Sequence, residues 1–258
     1  MTGALIINAD DWGRDLMNTD RILDCVLRKT VSSASAMVFM EDSERSAELA
    51  LNHAVDTGLH LNLTTPFSGR NVPSRIAEEQ REVSAWLRER RANQAIFNPR
   101  LAGKFRAVVT AQLGEYERLY KYPPNRVDGH HHMHLSANVL FAGLLPSGTI
   151  VRRNFSFFPG EKSFINRAYR KTMDSILSLR HILTDFFFSL PPLVPLARLD
   201  RILSLSSANF VEVETHPITT DEYEFLTNGS AERWAAGLHI APRFLVANGK
   251  KSRMKESD

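Results

Sequence analysis

The chain of 258 residues contains little cysteine and no long uninterrupted apolar run. Its only cysteine is Cys25, which excludes an internal disulfide bond and a structural zinc site built from a cysteine pair. The sequence also lacks a glycine-rich phosphate loop and a Gly-x-Ser-x-Gly turn, so it offers no motif for P-loop or serine-hydrolase chemistry. No internal repeat is visible. The chemistry must therefore be sought in other residue types.

Neither sign of charge predominates, because the formal net charge is only +3. No basic stripe with interleaved aromatic residues is present, so we expect no nucleic-acid partner. Residues 249–258 carry four basic side chains, and we expect them to form a solvated, disordered tail. The first residues have neither a basic segment nor an apolar run long enough for a signal peptide, which predicts a cytoplasmic protein.

The longest apolar region, residues 176–199, is interrupted by charged side chains and is too broken to span a bilayer. Its composition predicts a core helix followed by a proline-bounded turn. Two alternatives stay open for this region. It could cap a substrate cleft, or it could form the contact of a homodimer.

Short apolar runs alternate with amphipathic segments along the chain. The pattern predicts strands at 4–9, 32–40, 58–63, 149–153 and 210–214, and helices that include 15–29, 77–91, 101–119 and 162–190. Such alternation is typical of an α/β fold with a parallel sheet. We expect one catalytic domain over residues 1–248, with a variable insertion around residues 65–100.

Two adjacent carboxylates, Asp10 and Asp11, directly follow the first apolar run. Where a strand ends, the backbone can turn so that both face one site. One carboxylate could then bind a cation while the other accepts a proton from a water molecule. The alternative is that the pair caps the helix that follows.

Histidines are concentrated in two further segments. His60 lies within an apolar strand, where a lone histidine is usually a satisfied core residue. Residues 130–134 contain four histidines in five positions, and burying so many imidazoles without a metal or acid–base role would be costly. If this segment continues as a strand, His130, His132 and His134 share one face. A purely structural role for the histidine cluster is a weaker possibility than a metal-binding or an acid–base role.

Other polar residues lie at or near predicted strand ends. His216 precedes a proline and could be a general acid, an orienting group or simply a turn residue. Arg152 and Arg153 end another strand, where either could hold a carboxylate in its ionised form or be solvated.

The sequence resembles the YdjC-like carbohydrate deacetylases, the family that includes chitooligosaccharide deacetylase and the hopanoid-associated deacetylases. The resemblance is carried by Asn-Ala-Asp-Asp-Trp-Gly at 8–13, Thr-Gly-Leu-His-Leu-Asn-Leu-Thr at 57–64, Asp-Gly-His-His-His-Met-His at 128–134 and His-Pro at 216–217. It implies a distorted (β/α) barrel with parallel strands and one divalent metal ion, magnesium or zinc. It also implies hydrolysis of an N-acetyl group on a carbohydrate, such as an N-acetylglucosamine-containing oligosaccharide or a glycolipid.

The resemblance also implies residue roles. Asp11, His60 and His130 would bind the metal, Asp10 would be the general base and His216 the general acid. The residues expected to orient ligands or contact substrate are Asn62, His132, His134, Arg152 and Arg153.

The sequence departs from the family pattern at Trp12, where phenylalanine is usual, at residues 214–215, and between residues 64 and 101. Hydrolysis of a phosphoester or of a non-sugar amide, and metal or sugar binding without turnover, therefore stay open. So does the choice of acid between His216 and a histidine of the 130–134 cluster.

Overall fold

The computed structural model describes residues 3–158, 160–235 and 240–246. Its strands are β1 (Ala4–Trp12), β2 (Ser33–Ala36), β3 (Thr57–Leu61), β4 (Arg126–Gly129), β5 (Ile150–Val151), β6 (Phe186–Ser189) and β7 (Phe210–Thr215). They form one sheet in the order β5-β4-β3-β2-β1-β7-β6. The strands are parallel and the fold is an α/β distorted barrel, which confirms the predicted fold class. The predicted tail, 249–258, lies outside the described residues.

Helices occupy most of the connections between the strands. They are α1 (Leu16–Leu27), α2 (Ser43–His53), α3 (Ser74–Glu89), α4 (Ala102–Tyr120), α5 (Ala137–Phe141), α6 (Phe164–Ser178), α7 (Leu196–Ser206), α8 (Thr220–Thr227) and α9 (Ser230–Trp234). Short 3-10 segments follow α3 at Arg91–Ala95 and follow β4 at His130–Leu135. Within the described ranges, no helix is both long and apolar enough to cross a membrane.

The residues group into two compact units. The first comprises the described residues within 1–10, 20–34 and 150–258, and the second comprises residues 11–19 and 35–149. The interpretation of residues 1–248 as a single catalytic domain stays a prediction, as does the insertion around 65–100.

In the first unit, β1 runs beside β7 and aligns Ala4 with Phe210 and Ala9 with Thr215. The apolar start of β1 is almost completely buried, with Ile6 and Ile7 at 0% exposure. A continuous apolar run of this kind is expected of a parallel strand that is covered on both faces. Strand β7 differs, because it carries two buried carboxylates that must find partners.

In the second unit, β3 and β4 align His60 with Asp128. Residues in register on adjacent strands present their side chains to the same face, so this pairing brings an imidazole and a carboxylate together. Helix α4 supports the end of β3 through the buried side chain of Gln112. Its Oε1 accepts from the Asn62 main-chain N–H at 2.8 Å, and its Nε2 donates to the Asn62 carbonyl at 2.9 Å.

The prediction of helices over residues 162–190 is wrong in its second half. Helix α6 ends at Ser178, and Phe186–Ser189 is strand β6, which pairs with β7. An apolar run without alternation fits a buried strand as well as a buried helix, and Phe187 is fully buried. Region 176–199 therefore contains the end of α6, all of β6 and the start of α7. Two predicted strands are also shorter than expected, since β2 covers only Ser33–Ala36 and β5 only Ile150–Val151.

Candidate metal centre

Three of the predicted ligands converge within the second unit. The Asp11 Oδ1 atom lies 3.0 Å from His130 Nδ1 and 3.5 Å from His60 Nε2. One ligand atom from each residue lies within 4.8 Å of the others, and all three residues are buried. They come from the ends of β1 and β3 and from the start of the 3-10 segment that follows β4.

The backbone at Asp11 explains how its carboxylate reaches this position. Its φ of 71° places it in the left-handed region, which breaks the alternation of β1. Burial acts to raise the pKa of Asp11, but the adjacent imidazoles of His130 and His60 outweigh burial and hold the pKa well below its usual range. Arg14 adds a 2.8 Å ion pair to the other carboxylate oxygen. Asp11 is therefore an ionised acceptor.

The carboxylate of Asp11 has an oxygen that a cation could use. In the part of the chain that the structure describes, the buried Asp11 Oδ1 has no hydrogen-bond partner of good geometry, and imidazole nitrogens that could share a cation with it lie at 3.0 and 3.5 Å. A buried polar atom without a partner is costly, and a metal ion would satisfy a carboxylate oxygen in this position. Two imidazoles with one carboxylate form a donor set used for divalent metals, with positions left for water or substrate. The group could therefore hold a metal ion.

Asp128 orients one of these histidines. Its Oδ1 lies 2.7 Å from His60 Nδ1, and its Oδ2 accepts a 2.5 Å hydrogen bond from Ser35 Oγ. The Nδ1 contact leaves His60 Nε2 on the side of Asp11, and a carboxylate behind a metal-binding imidazole fixes its tautomer and ring orientation. Sequence reasoning assigned no role to Asp128. The sequence signal that could have identified Asp128 is its position at the start of the histidine motif, on the strand that pairs with the strand of His60.

The histidine cluster is not a strand, so the expectation that His130, His132 and His134 share one face is wrong. The segment is a 3-10 turn, with φ values of 54° at His131 and 59° at His132. These left-handed residues break the period of two that the prediction assumed. His130 and His134 are buried, His132 is half-buried and His131 is exposed.

His131, expected to face away from the cluster, contacts the candidate centre. Its ring lies 4.0 Å from that of His130, centroid to centroid, and its Nδ1 is 2.9 Å from Thr64 Oγ1. Partial burial lowers the pKa of His131 to about 4, so the ring is neutral near pH 7.

Gly129 allows the tight turn from β4 into the histidines. A Cβ at this position would lie 2.8 Å from His134 Nδ1 and 2.9 Å from the His134 main-chain nitrogen. The second of these atoms cannot move without shifting the turn. A side chain at 129 would therefore displace the segment that carries His130.

Asn62, predicted to orient ligands or contact substrate, bonds to its own loop. Its Oδ1 accepts from the main-chain N–H groups of Thr64 and Thr65, and its Nδ2 donates to the Thr65 carbonyl at 2.7 Å. This is the arrangement of a turn stabilised by an asparagine side chain. These contacts fix the loop that carries Thr64, whose hydroxyl contacts His131.

A second buried cluster, in the first unit, surrounds the other carboxylate of the Asp-Asp pair. Arg152 grips Asp10 with both terminal nitrogens, at 2.6 Å for Nη1–Oδ2 and 2.8 Å for Nη2–Oδ1. Its Nε also bonds Glu212 at 2.7 Å, and its Nη1 lies 3.3 Å from Glu214. All four residues are at most 5% exposed. One guanidinium thus contacts three buried carboxylates, and its positive charge offsets the cost of removing their negative charges from water.

Two neutral contacts complete this cluster. Asn8 Nδ2 donates to Asp10 Oδ1 at 2.9 Å, and Asn8 Oδ1 accepts from Ser33 Oγ at 2.7 Å. The guanidinium carbon of Arg152 lies 4.9 Å from the ring centroid of Phe187 on β6. The contact between a planar guanidinium and an aromatic face further restricts the arginine.

The remaining predicted residues also lie in the first unit. Arg153 pairs with Asp174 on α6 at 2.7 Å and therefore belongs to a different ion pair from Arg152. His216 is half-buried on the loop after β7, where its main-chain N–H donates to Glu222 at 2.9 Å. Glu222 also accepts from Thr215 and Thr219, so it fixes the His216 backbone at the start of α8. The spacing Thr219-x-x-Glu222 is a capping-box pattern that sequence reasoning did not use.

The fold and the site define an α/β-barrel protein with a candidate divalent-metal centre at its strand ends. Within that class, the chain belongs to the YdjC-like family, whose sequence profile, described as "YdjC-like protein", matches residues 4–237. The predicted family membership is confirmed.

Curated relatives share moderate identity with the chain. The carbohydrate deacetylase of Mus musculus is 31% identical over 168 residues, which cover 61% of this chain and 51% of the mouse protein. The chitooligosaccharide deacetylase of Yersinia pestis (strain Pestoides F) is 29% identical over 136 residues, which cover 52% of each protein. The chain spans about half the length of these relatives.

A solved structure from Enterococcus faecalis V583, provisionally described as a cellobiose-phosphate cleavage protein, has a similar fold. The TM-score is 0.68 over 98% of this chain and 99% of that chain, at 18% sequence identity. At this identity, the likeness establishes the fold alone.

Proposed function

We propose that this chain is a metal-dependent carbohydrate deacetylase, which removes an N-acetyl group from a sugar such as an N-acetylglucosamine-containing oligosaccharide or a glycolipid. The observation that carries the proposal is the buried convergence of Asp11, His60 and His130. The mouse and Yersinia relatives, which are named carbohydrate and chitooligosaccharide deacetylases, support the reaction class.

Asp11, His60 and His130 would hold a single divalent cation, magnesium or zinc. Such a cation polarises an amide carbonyl and acidifies water, which are the two requirements of amide hydrolysis near neutral pH. Neighbouring side chains of the protein orient the histidine ligand. Asp128 and Ser35 fix the ring of His60, so that its Nε2 stays on the side of Asp11.

Asp10 is the proposed general base. An ionised carboxylate is the form that accepts a proton, and the two-nitrogen contact from Arg152 stabilises that form while fixing both oxygens. Because Asp10 also compensates the buried Arg152, turnover rather than stability must test this role.

His216 is the proposed general acid for the leaving amine. Its side chain is half-buried and its backbone is fixed by Glu222, which suits a group that must meet a substrate and exchange a proton with solvent. His132 and His134 remain the alternative acids.

The test is acetate release from N-acetylated sugars. Purified protein is stripped of metal, divided, and resupplied with magnesium, with zinc or with neither. N-acetylglucosamine, its oligomers and an N-acetylated glycolipid are the substrates, and the matched glucosamine oligomers are the controls. We expect acetate only from acetylated substrates and only after metal is returned.

Stoichiometric metal binding without acetate release from any sugar would support the metal centre and contradict the deacetylase activity. Phosphate release from a phosphoester tested in parallel would then support the alternative hydrolase.

A further inference from the structure

A cavity of about 490 Å³ lies in the first unit, between the segment that follows β5 and helix α6. None of its lining residues belongs to the candidate metal centre or to the cluster around Arg152 described above. Its walls combine aromatic rings with basic side chains: Phe155, Phe157, Phe164, Arg167, Arg170 and Lys171.

The charge in this cavity is strongly positive. Among the described residues of the lining, Asp174 alone is acidic, and it is already engaged, because Arg153 binds its Oδ2 at 2.7 Å and the Asn154 main-chain N–H donates to its Oδ1 at 2.9 Å. Arg167, Arg170 and Lys171 remain, and among the described residues none of these three forms a close ion pair, although the charge of Asp174 acts on Arg170. Together these cations give the cavity a positive potential that favours an anionic ligand.

Arg170 is held in place against the aromatic wall. Its Nε donates to Asn166 Oδ1 at 2.9 Å, and its guanidinium carbon lies 5.0 Å from the Phe157 ring centroid. Burial lowers the pKa of Arg170, although the group stays charged at neutral pH. A guanidinium fixed in this way loses little conformational entropy when it binds a ligand.

The aromatic wall is anchored in the sheet. Phe155 stacks on the buried Phe187 of β6, with centroids 4.5 Å apart and ring planes 15° apart. At the other side of the cavity, Phe164 is 80% exposed, and so is its neighbour Ile165. The cavity therefore combines a rigid aromatic surface with an apolar rim that is open to solvent.

We propose that this cavity binds a phosphoryl group carried on an aromatic or aliphatic body. A phosphomonoester carries a charge of about −1.5 to −2 near pH 7, which suits a cavity lined by Arg167, Arg170 and Lys171. Arginine forks bind phosphate oxygens in pairs, while the phenyl rings accept the apolar body. The source of the phosphoryl group is either a small organic phosphate or a phospholipid headgroup, whose chains would contact Phe164 and Ile165. The site does not depend on the proposed deacetylase activity.

The test uses the full chain and two kinds of probe. Phenyl phosphate and inorganic phosphate are titrated by calorimetry, and phosphatidylcholine vesicles with and without phosphatidic acid are tested by co-sedimentation. The double variant Arg167→Gln/Lys171→Gln is compared with Arg88→Gln/Arg106→Gln, which removes the same charge from exposed positions elsewhere. All four arginine and lysine positions are exposed, so the variants should fold, and circular dichroism checks this.

We expect saturable binding of phenyl phosphate that is tighter than that of inorganic phosphate and about tenfold weaker in the cavity double variant. The control double variant should match the wild type. Phe157→Leu should weaken the binding of phenyl phosphate more than that of inorganic phosphate, because the ring contacts the apolar body as well as Arg170.

Capture by phosphatidic acid vesicles alone, lost in the cavity double variant, would assign the site to a lipid headgroup. Equal weakening in both double variants, unchanged binding in the cavity variant, or no binding to either kind of probe would overturn the proposal.

Discussion

His60 Nδ1 and Asp128 Oδ1 lie 2.7 Å apart on adjacent parallel strands, and this contact leaves the other ring nitrogen of His60 3.5 Å from Asp11 Oδ1. Strand register creates the arrangement, since His60 and Asp128 are aligned partners in the sheet. The orientation of a candidate metal ligand is thus built into the sheet rather than into a loop.

Asp128→Asn should weaken metal binding without removing it. An asparagine keeps the size of the side chain but loses the charge that fixes the His60 tautomer, and loss of such an outer partner typically reduces metal affinity about 10- to 100-fold. Competition with a chromogenic chelator measures the affinity. Asp200→Asn, at an exposed position on α7, is the matched control and should bind metal like the wild type. Equal affinity in both variants would contradict the orienting role.

Metal should stabilise the wild-type fold, and Asp11→Ala should abolish that effect. A ligand that binds only the folded state adds about 2.7 kcal/mol to the free energy of unfolding at 100 times its Kd. For a chain of this size, this corresponds to a rise in Tm of several degrees. Thermal unfolding with zinc or magnesium, against a chelator, measures the effect. A metal-dependent shift that persists in both Asp11→Ala and His130→Ala would place the ion elsewhere.

The convergence of the candidate ligands could be anticipated from compact motifs, whereas the contacts that depend on strand register could not. Asp11, His60 and His130 each belong to a short motif at a strand end, and the carboxyl ends of parallel strands meet at one edge of the sheet. Glu212 and Glu214 alternate with valines in β7, a pattern that normally indicates a solvated face. Their burial depends on Arg152, which lies about sixty positions away in sequence and is visible only in three dimensions.

Local backbone conformation limited the prediction at the histidine cluster and at β6. Alternation cannot assign faces where His131 and His132 adopt left-handed φ values, a conformation that remains uncommon for any residue other than glycine. Phe186–Ser189 is a strand of only four residues inside the longer, mostly apolar region 176–199, so its bounds are not distinct in the sequence. The sequence therefore indicates the motifs but not the bounds or the local backbone conformation of the elements that carry them.

Asp10→Asn should retain metal and lose turnover. The amide cannot accept a proton as a carboxylate does, and removal of a general base typically costs 10²- to 10⁴-fold in rate. Acetate release and metal stoichiometry, measured on the same preparation, separate the two effects. Asp15→Asn, at the first acidic residue after the Asp10-Asp11 pair, serves as a comparison for the loss of one charge. Turnover at the wild-type rate in Asp10→Asn would show that the base is another group.

Arg152→Met should strongly destabilise the fold. The substitution leaves Asp10, Glu212 and Glu214 buried without their shared cation, and breaking a buried ion pair in this way typically costs about 3–5 kcal/mol. Urea denaturation measures the free energy of unfolding. Arg28→Met is the matched control, because Arg28 pairs with Asp24 at 2.9 Å with the two side chains 49% and 34% exposed, and exposed pairs contribute at most about 1 kcal/mol. A similar loss in the two variants would contradict the account of the buried cluster.

Cys25 should resist thiol reagents in the native state and make stability fall at alkaline pH. Burial raises the pKa of Cys25 from its ordinary 9.0 to about 12, so the folded chain retains a proton that the unfolded chain releases above about pH 9. Between these values the native state binds more protons than the unfolded state. The free energy of unfolding therefore decreases as pH rises, by up to about 1.4 kcal/mol per pH unit.

Urea denaturation at several values between about pH 9 and pH 11 tests this slope in the wild type and in Cys25→Ala. The buried phenols of Tyr116 and Tyr120, whose pKa values burial also raises, act in the same direction in both proteins. The difference in slope between the two proteins therefore isolates the thiol. Equal slopes, or labelling of native Cys25 as fast as a free thiol, would show that the side chain reaches water in the folded state. Because Cys25 lies on α1 in the first unit, such a result would also mean that α1 opens from the core well below the global unfolding transition.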